Sequence, residues 1–330
     1  MTIHRSPLHR RAVTMLVIAT GLWGLSFPLM KAVGQVVADT TPGVGSLFVT
    51  ASMVTPRFAL AALVIVALLG RGVRTITRAE WQQGSLLGVF AGGGMLFQAD
   101  GLQFTAASTS AFLSQFYAIL IPLYLAVRTR RSPGAWVWLC TGLVLVGVAI
   151  MGRFNWRELH LGRGEVETLV ASVFFTGQIL VLARRDFVGN RVLPITLAMF
   201  LTEALIMGVV WITTTPSLAT LAAPLAVPAW WGFTLALTVC CTLGAFLLMN
   251  TWQPHISSTE AGLIYCVEPI FSALLSMVLP GLFSIWAAIH YPNESLTSHL
   301  LIGGGIITLA NVLLQLKPPR PEQDPTAITG

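Results

Sequence analysis

Residues 46–70 read SLFVTASMVTPRFALAALVIVALLG, twenty-five residues whose only charge is Arg57. A helix rises about 1.5 Å per residue and the hydrocarbon core of a bilayer is about 30 Å thick, so roughly 20 such residues cross it. A long helix at the surface of a soluble protein needs a polar face toward water, and this run has none to offer. Read outward with the same ruler, the chain gives ten candidate spans, near 12–31, 46–70, 84–104, 107–127, 134–152, 166–183, 193–214, 229–251, 257–280 and 298–316. Helices must carry them, because a helix satisfies its own backbone hydrogen bonds in lipid. A membrane β-barrel would need alternating strands of about ten residues, and none can be read.

Composition agrees. Of 330 residues, 55% are hydrophobic and 10% charged, with mean hydropathy +0.77. A soluble chain carries about 25% charged residues, so this one cannot cover itself with a water-facing surface. An ordinary soluble enzyme, a disordered protein and a disulfide scaffold are excluded. The net charge of +6 does not point to nucleic acid, since the arginines are spread between apolar blocks. Cys140, Cys240, Cys241 and Cys266 all lie in apolar runs without metal-ligand spacing. The first apolar run, Ala12 to Met30, exceeds the roughly 7–15 residues of a signal-peptide core and is read as a retained span.

The basic residues orient the spans. With the N-terminus cytoplasmic, the inner segments hold fourteen of them, at 5, 10, 11, 71, 74, 78, 128, 130, 131, 184, 185, 191, 317 and 320. The outer segments hold four, Lys31, Arg153, Arg157 and Arg163. That bias follows the positive-inside rule and places both ends in the cytoplasm. Loop 153–164 dissents, with three outer arginines.

Ser108-Thr109-x-Ala111-x-Leu113 recurs 150 residues later as Ser258-Thr259-x-Ala261-x-Leu263. Each copy opens a span, the fourth and the ninth, and each is followed by a glycine-bearing span with Gly142 and Gly147 or Gly303, Gly304 and Gly305. The first and sixth spans carry an aromatic beside small residues, Trp23-Gly24 and Phe175-Thr176-Gly177. Five spans per repeat is an odd number, so the second copy enters from the opposite side. Such inverted repeats are typical of secondary transporters with a site near the midplane. The expected fold is all-α and integral to the membrane: ten transmembrane helices as two inverted repeats, 12–152 and 166–316. A cytoplasmic segment 1–11, an outer loop 153–165 and a disordered tail 317–330 complete the chain.

Several stretches resemble the EamA branch of the drug/metabolite transporter superfamily. Trp23-Gly24-Leu25-Ser26-Phe27 is similar to its first-helix tryptophan-glycine motif, and Pro56-Arg57-Phe58-Ala59-Leu60 to its second helix. Gly101-Leu102-Gln103-Phe104-Thr105-Ala106-Ala107-Ser108, with Ala111-Phe112-Leu113 and Ile121-Pro122-Leu123, is similar to its third-to-fourth hairpin. Glu268-Pro269-Ile270-Phe271 resembles its ninth-helix glutamate-proline motif. The likeness runs from about 12 to 316. Two departures concern the outer mouth: the first outer loop, with Asp39, is long, and the last connection stretches over 280–297. There Leu282, Phe283, Ile285, Trp286 and Ile289 form a short amphipathic interfacial piece.

Charged groups inside spans are costly and point to function. Arg57, mid-span, suits a substrate carboxylate or phosphate through its planar fork; its structural alternative is to pair or to snorkel outward. Glu268, before Pro269, can be a proton-coupling carboxyl at a local polar notch, or the partner of another buried polar group. Glu203 in the seventh span faces either the cavity or the bundle. Trp23, Tyr117 and Gln178 complete the substrate-binding or coupling candidates. Asp100 and Glu260, near span ends, read as solvated or capping carboxylates. Gln98, Gln115 and Asn311 read as interhelical hydrogen-bonding groups, and the glycines of 88–94 and 303–305 as packing. His255, His290 and His299 lie near span ends without metal spacing.

The function expected is a secondary transporter of a small polar or amphipathic metabolite such as an amino acid, and by resemblance an exporter. Its energy comes from the substrate gradient or a coupled proton. No cofactor, metal, nucleic acid or catalytic residue is expected; the partners are the substrate and the bilayer of a cell membrane, the bacterial inner membrane foremost. The alternatives are a passive facilitator or lipid-carrier flippase on the same fold. More remote is an intramembrane enzyme, for which no central histidine or nucleophile motif can be read.

Overall fold

A computed structural model describes residues 6–104, 110, 113–151, 162–295 and 297–316. Among them there is no β-strand. The long helices are α1 (Pro7–Thr40), α2 (Ser46–Leu69), α3 (Arg78–Gly101), α4 (Tyr117–Thr129), α5 (Ala135–Met151), α6 (Arg163–Leu182) and α7 (Val192–Thr214). A nearly continuous rod follows, with α8 (Pro228–Ala236) joined to α9 (Ala245–Trp252) by a π-helical segment, Leu237–Gly244. Then come α10 (Ser258–Tyr265), α11 (Glu268–Ser276), α12 (Leu279–Ala287) and α13 (Ser298–Leu316).

Five helical stretches are long and apolar enough to cross a membrane: Pro7–Thr40, Ser46–Thr75, Arg163–Leu182, Val192–Thr214 and Pro228–His255. A sixth arises if Ser258–Ser276 and Leu279–Ala287, bent by 54°, count as one span. The ten-span expectation exceeds this for physical reasons. α3 is long, but its glycines, glutamines and terminal charges dilute its hydropathy; α4, α5 and α13 are apolar over shorter described stretches. α1 is longer than the expected 12–31, because Ser6 caps it by accepting from the His9 N–H and Pro7 occupies the first turn, where no donor is missed. The expected hairpin at 105–108, part of the first repeat copy, most of the 153–165 loop and the 317–330 tail lie outside the described residues.

Leu63, Leu205, Val209 and Ile212 are largely exposed on α2 and α7. Apolar surface of that extent marks a membrane-facing protein. The inner faces pack closely: α3 lies along both α6 and α7, α2 along α7, α5 along α13, and α1 along α9 and α11. Glycine makes the α3 contacts feasible. A Cβ on Gly84 would stand 2.4 Å from the Ala198 Cβ and the Ile195 carbonyl oxygen, while Gly93 and Gly94 receive the rings of Phe174 and Phe175. Close approach of this kind drives association in lipid, where burial of apolar surface no longer distinguishes partners. α12 takes the expected interfacial form, with Ile285 and Trp286 exposed and Phe283 packed edge-on to Phe233.

One polar staple ties α3 to the start of α7. Thr77 and Glu80 form a reciprocal capping box, and Glu80 also accepts from Arg191 Nε (2.7 Å), Arg191 Nη2 (3.0 Å) and the Arg191 backbone N–H (3.2 Å). These bonds hold the Glu80 carboxyl below its ordinary value of 4.5, at about 2, with the Arg191 hydrogen bond the largest cause.

Two outcomes follow. Gly84→Ala lowers the thermal unfolding midpoint of the detergent-solubilised protein, with overpacking costing about 1–3 kcal/mol; Gly142→Ala, which meets nothing within 4 Å, leaves it unchanged. Because the Glu80 value falls on folding, its contribution is complete above pH 4.5 and disappears as pH falls through about 2. The stability gap between the wild type and Glu80→Gln, measured by denaturation at stepped pH, therefore closes over that window.

Candidate functional site

Arg57 is the centre of the site. It lies on α2, one residue after Pro56, and is 1% exposed although it carries a full charge. Burying a charge without partners costs several kcal/mol, so its surroundings are informative. Nε donates to Thr242 Oγ1 at 2.9 Å, Nη1 lies 3.6 Å from Met30 Sδ, and the guanidinium sits 5.0 Å from the centroid of the Phe58 ring. Thr242 belongs to the π-helical segment and returns its own hydroxyl proton to the Leu237 carbonyl, five residues back. The π turn therefore delivers an acceptor to the arginine; such bulges recur at functional sites.

Arg57 opens onto a cavity enclosing about 850 Å³ of non-protein space, part of it continuous with the outside. Its wall is drawn from α1 (Trp23, Ser26, Phe27, Met30), α3 (Met95, Gln98, Ala99) and Leu102 just beyond it, α6 (Phe175, Gln178, Ile179) and α9 (Phe246, Met249). The remainder comes from two interrupted helices. Ser114, Gln115 and Tyr117 lie at the break that precedes α4, and Tyr265 and Glu268 flank the break between α10 and α11.

Both breaks have a local cause. Around the first, the N–H groups of Phe116, Ala118 and Ile119 each reach the carbonyl three residues back, and around the second Val267 and Ile270 do the same. The chain tightens there and leaves other carbonyls open to polar partners. Cys266 Sγ takes one of them, the Gly262 carbonyl, at 3.3 Å. Pro269 falls in the first turn of α11, where its missing N–H costs nothing. Expected as a kink within one helix, it instead begins a new one.

The wall is amphipathic. Trp23 meets Phe246 and Tyr265 edge-on, with centroids 5.4 and 5.3 Å apart. The indole Nε1 of Trp23 and Nε2 of Gln178 are buried donors without a partner among the described residues. Tyr117 donates to Gln115 Oε1 at 2.5 Å. Tyr265 donates to Gln253 Oε1, and Gln253 in turn donates to the Ile179 carbonyl, which ties the wall to α6. The cavity thus holds a fixed cation, two unspent N–H donors and one carboxylate, Glu268, between aromatic faces.

Of the six residues singled out in the sequence, Arg57, Glu268, Trp23, Tyr117 and Gln178 line this one cavity. Glu203 does not; it is fully buried on α7, which packs along α2. Gln98 and Gln115, read as packing groups, line the cavity as well. The polar character of both was visible, but their convergence was not. Met95, Ser114, Met249 and Tyr265 carried no signal that separates a wall from a core. Asp100 and Glu260 are not solvated: each is 2% exposed, Asp100 paired with Arg163 and Glu260 with His9 at 3.0 Å. His255, His290 and His299 are exposed, and among the described residues no group of three His, Cys, Asp or Glu side chains could hold a metal.

Comparison with known proteins converges on one class. Residues 10–153 match the EamA-like transporter family. An uncharacterized transporter of Archaeoglobus fulgidus is 23% identical over 316 residues, covering 92% of this chain and 85% of the relative. A protein of known crystal structure superposes with a TM-score of 0.66 at 18% identity, covering 93% of this chain and 97% of its own; at that identity the likeness is one of fold. Residues 10–153 belong to the EamA-like transporter family, and the protein that carries them is a membrane transporter.

Proposed function

We propose that this protein is a secondary transporter that exports a small amphipathic metabolite bearing a carboxylate, an apolar amino acid foremost, by alternating access around the Arg57–Glu268 cavity. The observation that carries the reading is the cavity's chemistry: a buried guanidinium and two unpartnered N–H donors, a carboxylate, and aromatic walls between them. A few placed polar groups in a mostly apolar pocket of this size suit a small ligand. Arg57, Gln178 and Trp23 receive the cargo's carboxylate, Glu268 its ammonium group, and Trp23, Phe246 and Tyr265 its apolar side chain. Tyr117 holds Gln115 in place at the first helix break.

The proposed frame is ten spans as two inverted five-helix repeats, 12–152 and 166–316, with both ends in the cytoplasm of a bacterial inner membrane. Its support is in the packing. Exchanging each span for the one five places along turns α2–α7 and α5–α13 into themselves, and turns the contact of α3 with α6 into that of α1 with the α8–α9 rod. The breaks before α4 and before α11 fall about 150 residues apart, the same offset as the sequence motif. Discontinuous helices at a repeat interface are where transporters of this architecture place their substrate.

A thermal-shift series on the purified protein tests the chemistry with three probes that share one ring: phenylalanine, phenylacetate and phenethylamine. A ligand present at 100 times its Kd adds about 2.7 kcal/mol to native stability. Phenylalanine is expected to give the largest shift. Arg57→Ala should abolish the phenylacetate response and spare that to phenethylamine, with Arg57→Lys recovering little, because a point charge does not replace a planar fork. Glu268→Gln should do the reverse, losing phenethylamine and keeping phenylacetate. A cavity that ignores all three probes, or variants whose responses match the wild type, would remove the amphipathic-carboxylate reading.

A further inference from the structure

Glu203 is left over by this account. It sits in the middle of α7, fully buried, and neither carboxylate oxygen has a hydrogen-bond partner among the described residues. It does not line the cavity. An ionised carboxylate in such a place must be met by a counter-charge or else take up a proton. The elements packed against α7 offer few groups. α3 presents glycines at this level, with Gly92 against the Glu203 Cγ, and keeps its charges, Arg78, Glu80 and Asp100, at its two ends. α9 carries no titratable side chain, and the π-helical segment contributes the thiols Cys240 and Cys241. α2 presents Arg57, its single charge, which attracts Glu203 electrostatically without closing an ion pair. Arg57 therefore stands between two places for a negative charge, Glu203 on the bundle side and the cavity on the other.

We infer that Glu203 is the protonation site linked to cargo: Arg57 balances one negative charge at a time, the Glu203 carboxylate when the cavity is empty and the cargo carboxylate when it is filled. When cargo binds, Glu203 loses its counter-charge in a desolvated position and takes one proton from solvent. When cargo leaves, the proton is released. No bond other than this O–H forms or breaks. Glu203 is thus a positioning residue that acts through Arg57, and anionic cargo and proton are taken up together. By linkage, anionic cargo binds more tightly as pH falls, and the sum of cargo and proton gradients sets the direction of net movement. Export into an acidic exterior then draws on the cargo gradient.

The inference rests on the cavity reading for its cargo, so the first measurement uses none. Infrared spectra of the full chain in lipid vesicles report protonated carboxyl groups, and the band lost in Glu203→Gln identifies Glu203. At neutral pH that band should be larger in Arg57→Ala than in the wild type; equal bands in the two would overturn the linkage. Should Arg57→Ala fail to fold, adding phenylacetate to the wild type is the second arm. The probe stays anionic near neutrality and should raise the same band, with uptake of about one proton seen by a pH dye in weak buffer. Wild-type affinity for phenylacetate should then rise about tenfold per pH unit lowered, the limit for one linked proton, and Glu203→Gln should bind it with no pH dependence. If Glu203→Gln keeps the wild-type slope while Glu268→Gln flattens it, the proton belongs to Glu268 and the inference fails. If phenylacetate does not bind, the cavity reading fails alone, and the ligand-free comparison still decides the role of Glu203.

Discussion

Hydrocarbon offers no hydrogen bonds, so each N–H and C=O in the membrane must find its partner within the protein. That constraint organises the structure. It permits long unbroken helices such as α2 and α7 on the lipid-facing side, and it confines irregular backbone to places where other groups can answer it. The two breaks, before α4 and before α11, lie on the cavity wall, where side chains such as Cys266 and the aqueous interior can take up what the helix releases. The π-helical segment obeys the same rule, with Thr242 returning a hydroxyl to the Leu237 carbonyl while it accepts from Arg57. The site exists where the helical ladder has been given up.

The second constraint is steric. Lipid tails are as apolar as leucine, so the helices associate through fit rather than through escape from water. α3 meets this with a glycine stripe whose two sides serve different neighbours, Gly84 and Gly88 toward α7 and Gly93 and Gly94 toward α6. α6 answers with Gly177, against which the Phe90 ring lies. Close backbone contact on this side brings Gln98 and Gln178 to a common cavity and sets Glu203 behind Arg57. Packing and electrostatics are therefore coupled: the small residues that let α3 and α7 meet also dry the space around a buried acid.

The ionic groups divide by depth. Glu80–Arg191, Asp100–Arg163 and Glu260–His9 join helix ends at the margins of the bundle. Arg57, Glu203 and Glu268 stand inside it with far fewer partners. Marginal pairs are well bonded and staple elements together. The interior groups are underbonded, and a buried group left short of partners stays responsive to whatever enters beside it.

The one-dimensional pattern was enough to establish a helical membrane protein, because apolar runs of twenty or more residues have no other stable form in lipid. It also sufficed to mark Arg57, Glu203 and Glu268, since a charge in such a run is rare whatever surrounds it, and to pick out Trp23, Tyr117 and Gln178 as polar tips on apolar bodies. It could not separate Glu203 from the cavity residues, because the face a helix turns to its neighbours depends on packing and not on residue type. Nor could it reveal the π turn in Leu237–Gly244, which differs from an α turn by one residue of hydrogen-bond register and leaves no compositional mark. Gln98, Gln115 and Tyr265 are ordinary residues of a bundle interior until the folded chain brings them to one space. Local hydrophobicity determined which segments are helices and where charge is anomalous; only tertiary contact decided which of those charges meet, because convergence is a property of distance in space that residue spacing along a helix does not encode.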